Sequence, residues 1–108
     1  MINKKINLEN YSHIHCIGIG GIGLSGLAHI LLEKKHFVSG SDMNESYVTD
    51  NLIKKGAKIY LGHREKHAEN ADLIVYSAAV KSDNPELLYA KKNKIKSVSR
   101  AELLGALM

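Results

Sequence analysis

A cluster of glycines set between two kinds of hydrophobic pattern constrains this chain more than any other feature. Gly18-Ile19-Gly20-Gly21-Ile22-Gly23 follows the apolar run Ile14-His15-Cys16-Ile17 and opens a long amphipathic segment. A short apolar run reads as a buried strand, and the helical spacing after it reads as a helix. Gly18 then serves the tight reversal, Gly20 the close approach of backbone N–H groups to a pyrophosphate, and Gly23 the packing of helix on strand. The N–H groups of Gly21, Ile22 and Gly23 are expected to be free and to point at an anion, aided by the helix dipole. Asp42 ends the next apolar run about 20 residues further on, where a carboxylate accepts from ribose hydroxyls in dinucleotide-binding folds. Ser41 beside it offers a second polar contact.

The remainder of the chain repeats the alternation. The pattern predicts strands over 13–18, 37–41, 57–61, 73–76 and 96–98. It predicts helices over 21–35, 45–55 and 85–93, a short helix or loop over 63–70, and a last helix from Ser99. Ile22, Gly26, Ala28, His29, Ile30 and Leu32 are expected to give the first helix a broad apolar face, with Gly23 and Gly26 letting it lie close to the sheet. Asn84 and Pro85 suit the cap and first turn of the third helix, Glu86 complements its positive end, and Ser99 with Glu102 forms a capping box. Strands alternating with helices mean a parallel sheet. The fold class expected is α/β, a Rossmann-like three-layer domain with a five-stranded parallel sheet. Ligands in such sheets lie beyond the carboxyl ends of the strands where the order reverses, so Ser77, Ala78 and Ala79 after the fourth strand join the candidate site.

Composition narrows the function. At 108 residues the chain is one domain, and with one cysteine it has no internal disulfide, which suits the cytoplasm. Cys16 reads as a small buried hydrophobe. The net charge of +4 comes from scattered lysines and only 6% of the residues are aromatic, so a nucleic-acid footprint is not expected. No apolar stretch approaches a membrane span, and residues 1–5 lead into no apolar core of a signal peptide. His63 and His67 are four apart with no further ligand nearby, so no metal site is expected, and His13 and His15 share one strand side without needing a special role. No G-x-x-x-x-G-K-[ST] loop for ATP phosphates occurs.

The stretch His15-Cys16-Ile17-Gly18-Ile19-Gly20-Gly21-Ile22-Gly23-Leu24-Ser25-Gly26-Leu27-Ala28 resembles the N-terminal motif of the Mur ligases of peptidoglycan synthesis. Val38-Ser39-Gly40-Ser41-Asp42, Val75-Tyr76-Ser77-Ala78-Ala79-Val80, Asn84-Pro85-Glu86-Leu87 and Arg100-Ala101-Glu102-Leu103-Leu104 extend the likeness. Within that family it resembles the branch that joins L-alanine to UDP-N-acetylmuramate. The resemblance implies an N-terminal domain that binds the UDP part of the substrate. ATP and Mg2+ would be handled by a central domain and L-alanine with help from a third, both beyond this chain, which alone is expected to be inactive. Gly18, Gly20, Gly21, Ile22 and Gly23 would cradle the diphosphate, Ser41 and Asp42 would sit near the uridine, and Ser77, Ala78 and Ala79 would line the same crevice. Leu24 stands where methionine is usual in the family, and Ala78 where a second serine is common. A nicotinamide-binding domain of an oxidoreductase and a nucleotide-sensing regulatory domain are the alternatives the glycine loop leaves open.

Overall fold

The computed structural model describes residues 6–107. Residues 1–5, which carried the signal-peptide reading, and Met108 lie outside them. The elements in chain order are β1 (His13–Ile17), α1 (Ile22–Glu33), β2 (Phe37–Asp42), α2 (Tyr47–Lys54), β3 (Lys58–Leu61), β4 (Leu73–Tyr76), α3 (Pro85–Lys92), β5 (Lys96–Ser99) and α4 (Arg100–Leu107). Single 3₁₀ turns occupy Leu8–Asn10, which the pattern did not predict, and Glu65–Ala68. The five strands form one parallel sheet in the order β3-β2-β1-β4-β5, the architecture expected.

The sheet is covered on both faces, and strand alternation decides what meets what. Ile14 and Cys16 of β1, with Leu73 and Val75 of β4, point to one face. There they pack against Leu24, Leu27, Ala28 and Leu31 of α1, Leu52 of α2 and Leu103 of α4. Ile17 and Ile74 point to the other face and meet Ala68 and, from α3, Leu87 and Ala90. Each leucine fully buried in this way contributes about 1.5–3 kcal/mol relative to exposure. Helices α1, α2 and α4 thus cover one face and α3 the other, and the strand order reverses between β1 and β4.

Several local signals hold. Asn84 caps α3, its side-chain oxygen accepting from the N–H groups of Glu86 and Leu87 at 2.9 and 3.4 Å. Ser99 and Glu102 exchange the two bonds of a capping box at 3.0 and 3.1 Å. Gly56 ends α2 at φ +110, a conformation glycine adopts without strain. The apolar face of α1 matches the predicted one only in part: Ala28 is buried and Leu32 packs at the edge of the core, as expected. Ile22 is 97% exposed and Gly26 faces open space, while Leu24, Leu27 and Leu31 are buried. Ile22 begins the helix beyond the sheet's end, where nothing lies above it to cover it. Ile53 is likewise exposed, leaving Leu52 as the buried anchor of α2.

Candidate functional site

The glycine loop emerges from β1, the central strand, and is held by β2. The N–H groups of Gly18 and Ile19 both donate to the carbonyl of Ser41, at 2.8 and 3.1 Å. Gly18 has φ +81, so the reversal expected there is left-handed and suits glycine. Ile19 then folds back over β2 directly above Gly40, where an added Cβ would come within 2.5 Å of the Ile19 side chain and 2.8 Å of the Cys16 carbonyl. Gly40 is therefore the glycine that seats the loop, a role sequence reasoning did not give it.

Gly20 and Gly23 do their work differently from the reading above. A Cβ on Gly20 would meet the Asp42 carboxylate at 2.9 Å and Thr49 at 3.1 Å, so its missing side chain makes room for protein rather than for a phosphate. The Gly20 N–H donates to Asp42 Oδ2 at 2.9 Å, and the Gly21 N–H donates to the carbonyl of Gly18 at 3.1 Å. Neither of these amides is free. A Cβ on Gly23 would meet the Arg100 side chain at 2.8–3.1 Å, so Gly23 accommodates the first residue of α4 and not β1. Gly21, the cap of α1, offers no side chain to its first turn. Among the described residues, the N–H groups of Ile22, Gly23 and Leu24 have no backbone acceptor either. These amides at the positive end of a 12-residue helix, beside the Arg100 guanidinium, form a place for an anion.

Asp42 ends β2 and turns both oxygens to the backbone. Oδ2 accepts from Gly20, and Oδ1 accepts from the N–H of Asn44 at 3.2 Å. It thus clasps the loop, and it lines a cleft of about 680 Å³ at the carboxyl ends of β1 and β4. Of the candidate residues, Gly18, Gly21, Asp42, Ser77 and Ala79 line this cleft, and Gly20, Ile22, Gly23, Ser41 and Ala78 do not. The structure adds Met43, His63, Lys81 and Asn84 to its walls. A second hollow of about 600 Å³ lies at the opposite end of the sheet, near Tyr11, Lys34 and His36, and contains none of the loop residues.

Ser41 is fully buried and does not face the ligand space. Its hydroxyl donates to Glu86 Oε1 at 2.7 Å, so at 2.9 Å it is the acceptor for His63 Nδ1. His63 in turn lines the cleft. Glu86, read from sequence only as a partner for the helix dipole, is a fully buried hub. His15 Nε2 lies 2.6 Å from Oε1, the Arg64 N–H donates to Oε2 at 3.0 Å, and His67 Nδ1 lies 2.9 Å from Oε2. Burial opposes the Glu86 charge. The hydrogen bond and proximity of His15, then the bonds from Ser41 and His67, outweigh it and hold the carboxyl at about 2. His13 and His15, which were expected to need no special role, both contact the Ser39 hydroxyl at 2.7 Å. The signal for this network was present. Alternate residues His13 and His15 in one strand and Ser39 and Ser41 in its neighbour put four polar groups on one buried face.

Cys16 is buried, and burial pushes its thiol up to about 12, which removes the thiolate that alkylation requires. The folded chain should leave Cys16 unmodified by a thiol reagent in native buffer and should react fully in denaturant. Native labelling at the rate of a free thiol would contradict the packing. Among the described residues no helix is long and apolar enough to cross a membrane, and no cluster of three or more His, Cys, Asp or Glu side chains could hold a metal ion.

Comparison with known proteins agrees with this fold. The family model described as Mur ligase family, catalytic domain, matches residues 13–108. A UDP-N-acetylmuramate–L-alanine ligase of Clostridium botulinum (strain Okra / Type B1) is 59% identical over 100 residues, 93% of this chain and 22% of that protein. The crystal structure of UDP-N-acetylmuramate–alanine ligase from Thermotoga maritima superposes with a TM-score of 0.82 at 33% identity, covering 85% of this chain and 21% of that one. A murein peptide ligase from Psychrobacter arcticus superposes with a TM-score of 0.81 at 28% identity, covering 87% of this chain and 20% of that one. The chain therefore spans about a fifth of the length of the relatives it matches.

Proposed function

The chain belongs to the Mur ligase family, and from that premise we propose that it is the UDP-binding part of a ligase joining L-alanine to UDP-N-acetylmuramate. The observation that carries this reading is the set of unpaired first-turn amides of α1, at Ile22, Gly23 and Leu24, next to the cleft between β1 and β4. A diphosphate placed there receives backbone N–H donors and the charge of Arg100, with Lys81 on the facing wall. Each charge-assisted bond contributes about 1.5–3 kcal/mol. The uridine then lies toward Asp42 and His63, and Ser77 and Ala79 floor the crevice. Ser41 acts at one remove, through His63.

In this proposal residues 1–108 are a single UDP-sugar-binding domain, with the remaining domains of a cytoplasmic enzyme elsewhere in the polypeptide. ATP and Mg2+ would be held there. Activation of the muramate carboxylate by ATP followed by attack of the alanine amine is the chemistry assigned to those parts. The present residues bind and orient the nucleotide and would catalyse nothing alone.

Calorimetric titration of this chain with UDP-N-acetylmuramate, and separately with NAD, tests the reading. Heat is expected with the UDP-sugar and none with NAD, and the reverse result would favour the oxidoreductase alternative. Gly20→Val should weaken UDP-sugar binding at least about tenfold, equivalent to about 1.4 kcal/mol. Its side chain would push Asp42 off the 2.9 Å bond that holds the loop. Unchanged affinity in the folded variant would remove Asp42 and the loop from the site.

A further inference from the structure

The polar face beneath the sheet contains a line of contacts that can be counted in protons. His13 Nδ1 lies 2.9 Å from the carbonyl oxygen of Asn70, which only accepts, so that nitrogen carries hydrogen. His13 Nε2 and His15 Nδ1 each lie 2.7 Å from the Ser39 hydroxyl oxygen. His15 Nε2 lies 2.6 Å from Glu86 Oε1. The serine has one hydrogen to give, and it serves only one of the two rings. The other ring must donate to the serine oxygen through its own N–H. If that ring is His13, it holds hydrogen on both nitrogens. If it is His15, the nitrogen facing Glu86 also holds one, because Glu86 already takes donors from Ser41 and Arg64 as an ionised acceptor. With two neutral rings, a 2.7 Å contact would set lone pair against lone pair, or the short contact to Glu86 would lack its hydrogen.

We propose that His13 and His15 share one extra proton through Ser39, and that this proton latches β1, β2 and α3 together as a pH-sensitive element beneath the cleft. Other groups face the line from each packed element. Glu86 comes from α3 and Tyr60 from β3, its ring 6.4 Å from that of His15. His67 comes from the 3₁₀ turn and is stacked on Tyr60 at 4.1 Å. Asp72, ahead of β4, accepts from the His13 backbone N–H at 3.0 Å. His63 lies 3.6 Å from Glu86 Oε2. The charge belongs on His15, against the carboxylate, and burial, the largest influence on His13, keeps that ring's charged form disfavoured. Because Glu86 also receives Ser41, the acceptor for His63, loss of the proton is felt at the cleft wall.

Nitrogen-15 NMR of the histidine rings in this chain at pH 7 tests the proposal. The His15 ring should show both nitrogens protonated and the His13 ring a single N–H at Nδ1. As the pH is raised, the loss of that signature should coincide with a change in the His63 ring resonances. Ser39→Ala, which removes the shared hydroxyl, should leave both rings neutral at pH 7. Glu86→Gln should do the same by removing the countercharge, and serves if the alanine variant does not fold. Two neutral rings in the unmodified chain would overturn the proposal, as would a doubly protonated ring that persists in a folded variant. His63 resonances indifferent to the step would overturn the link to the cleft.

Discussion

Replacing Glu86 with alanine should destabilise the chain by about 3–5 kcal/mol, the range for removing one partner of a buried ion pair. The side chain is fully buried, and its loss strands the Ser41 hydroxyl, the Arg64 N–H and the rings of His15 and His67 without an acceptor. Domains of this size have about 5–15 kcal/mol in total, so the variant should be near the edge of folding. Urea denaturation should show a lower midpoint with little change in slope. A loss below about 1 kcal/mol, typical of a surface pair, would show that the hub does not carry the load its geometry implies. The sign of the pH effect follows from the lowered carboxyl. The unfolded group titrates near 4.5 and the folded one near 2. The stabilisation is complete above 4.5 and is lost as the pH falls toward 2. Acid denaturation of the unmodified chain should steepen across that window, and the Glu86→Ala variant should lack that component.

Gly40→Val should destabilise by about 3 kcal/mol, at the upper end for overpacking, and should abolish nucleotide binding in whatever folded material remains. The new Cβ would press on the Ile19 side chain at 2.5 Å and on the Cys16 carbonyl at 2.8 Å. Side chains can turn away, but the carbonyl belongs to the neighbouring strand, which is held in register with Gly40. Ile19 is buried and is the residue by which the glycine loop grips the sheet, so its displacement should dislocate the loop. Thermal unfolding and UDP-N-acetylmuramate titration read the two effects separately. A variant of normal stability and affinity would mean that Ile19 has somewhere else to go. By contrast, Gly26→Ala meets nothing within 4 Å, so the effect of a glycine substitution here depends on what its missing side chain faces.

The layout of the fold was legible because parallel strands covered on both faces are written as short apolar runs, and their helices carry their own caps and stops. Each of the five strands lies where its run predicted, and Asn84 and the Ser99–Glu102 pair cap the helices they were expected to cap. The face of α1 was harder to place. Periodicity gives a helix its spacing but not its rotation when apolar residues surround it, and Ile22 and Ile30 fit the pattern as well as Leu24 and Leu31 do. The candidate site divides in the same way. Its location followed from one strand–glycine–helix unit, but the partners of each residue did not. Gly20 lacks a side chain on account of Asp42 and Thr49, and Gly23 on account of Arg100. Ser41 points inward because strand alternation sends it to the face that Glu86 enters from α3.

Local chemistry along the chain therefore determined the kind of molecule: its alternating elements, its turn glycines, its caps and its family. Only the tertiary structure decided which amides stay free, which are tied by Asp42 or Gly18, and how histidines and serines from adjacent strands converge on one buried carboxylate. The reason is distance in sequence. Glu86 lies far along the chain from His15 and Ser41, and closing that separation depends on the strand order and register of the whole sheet, which no local pattern encodes.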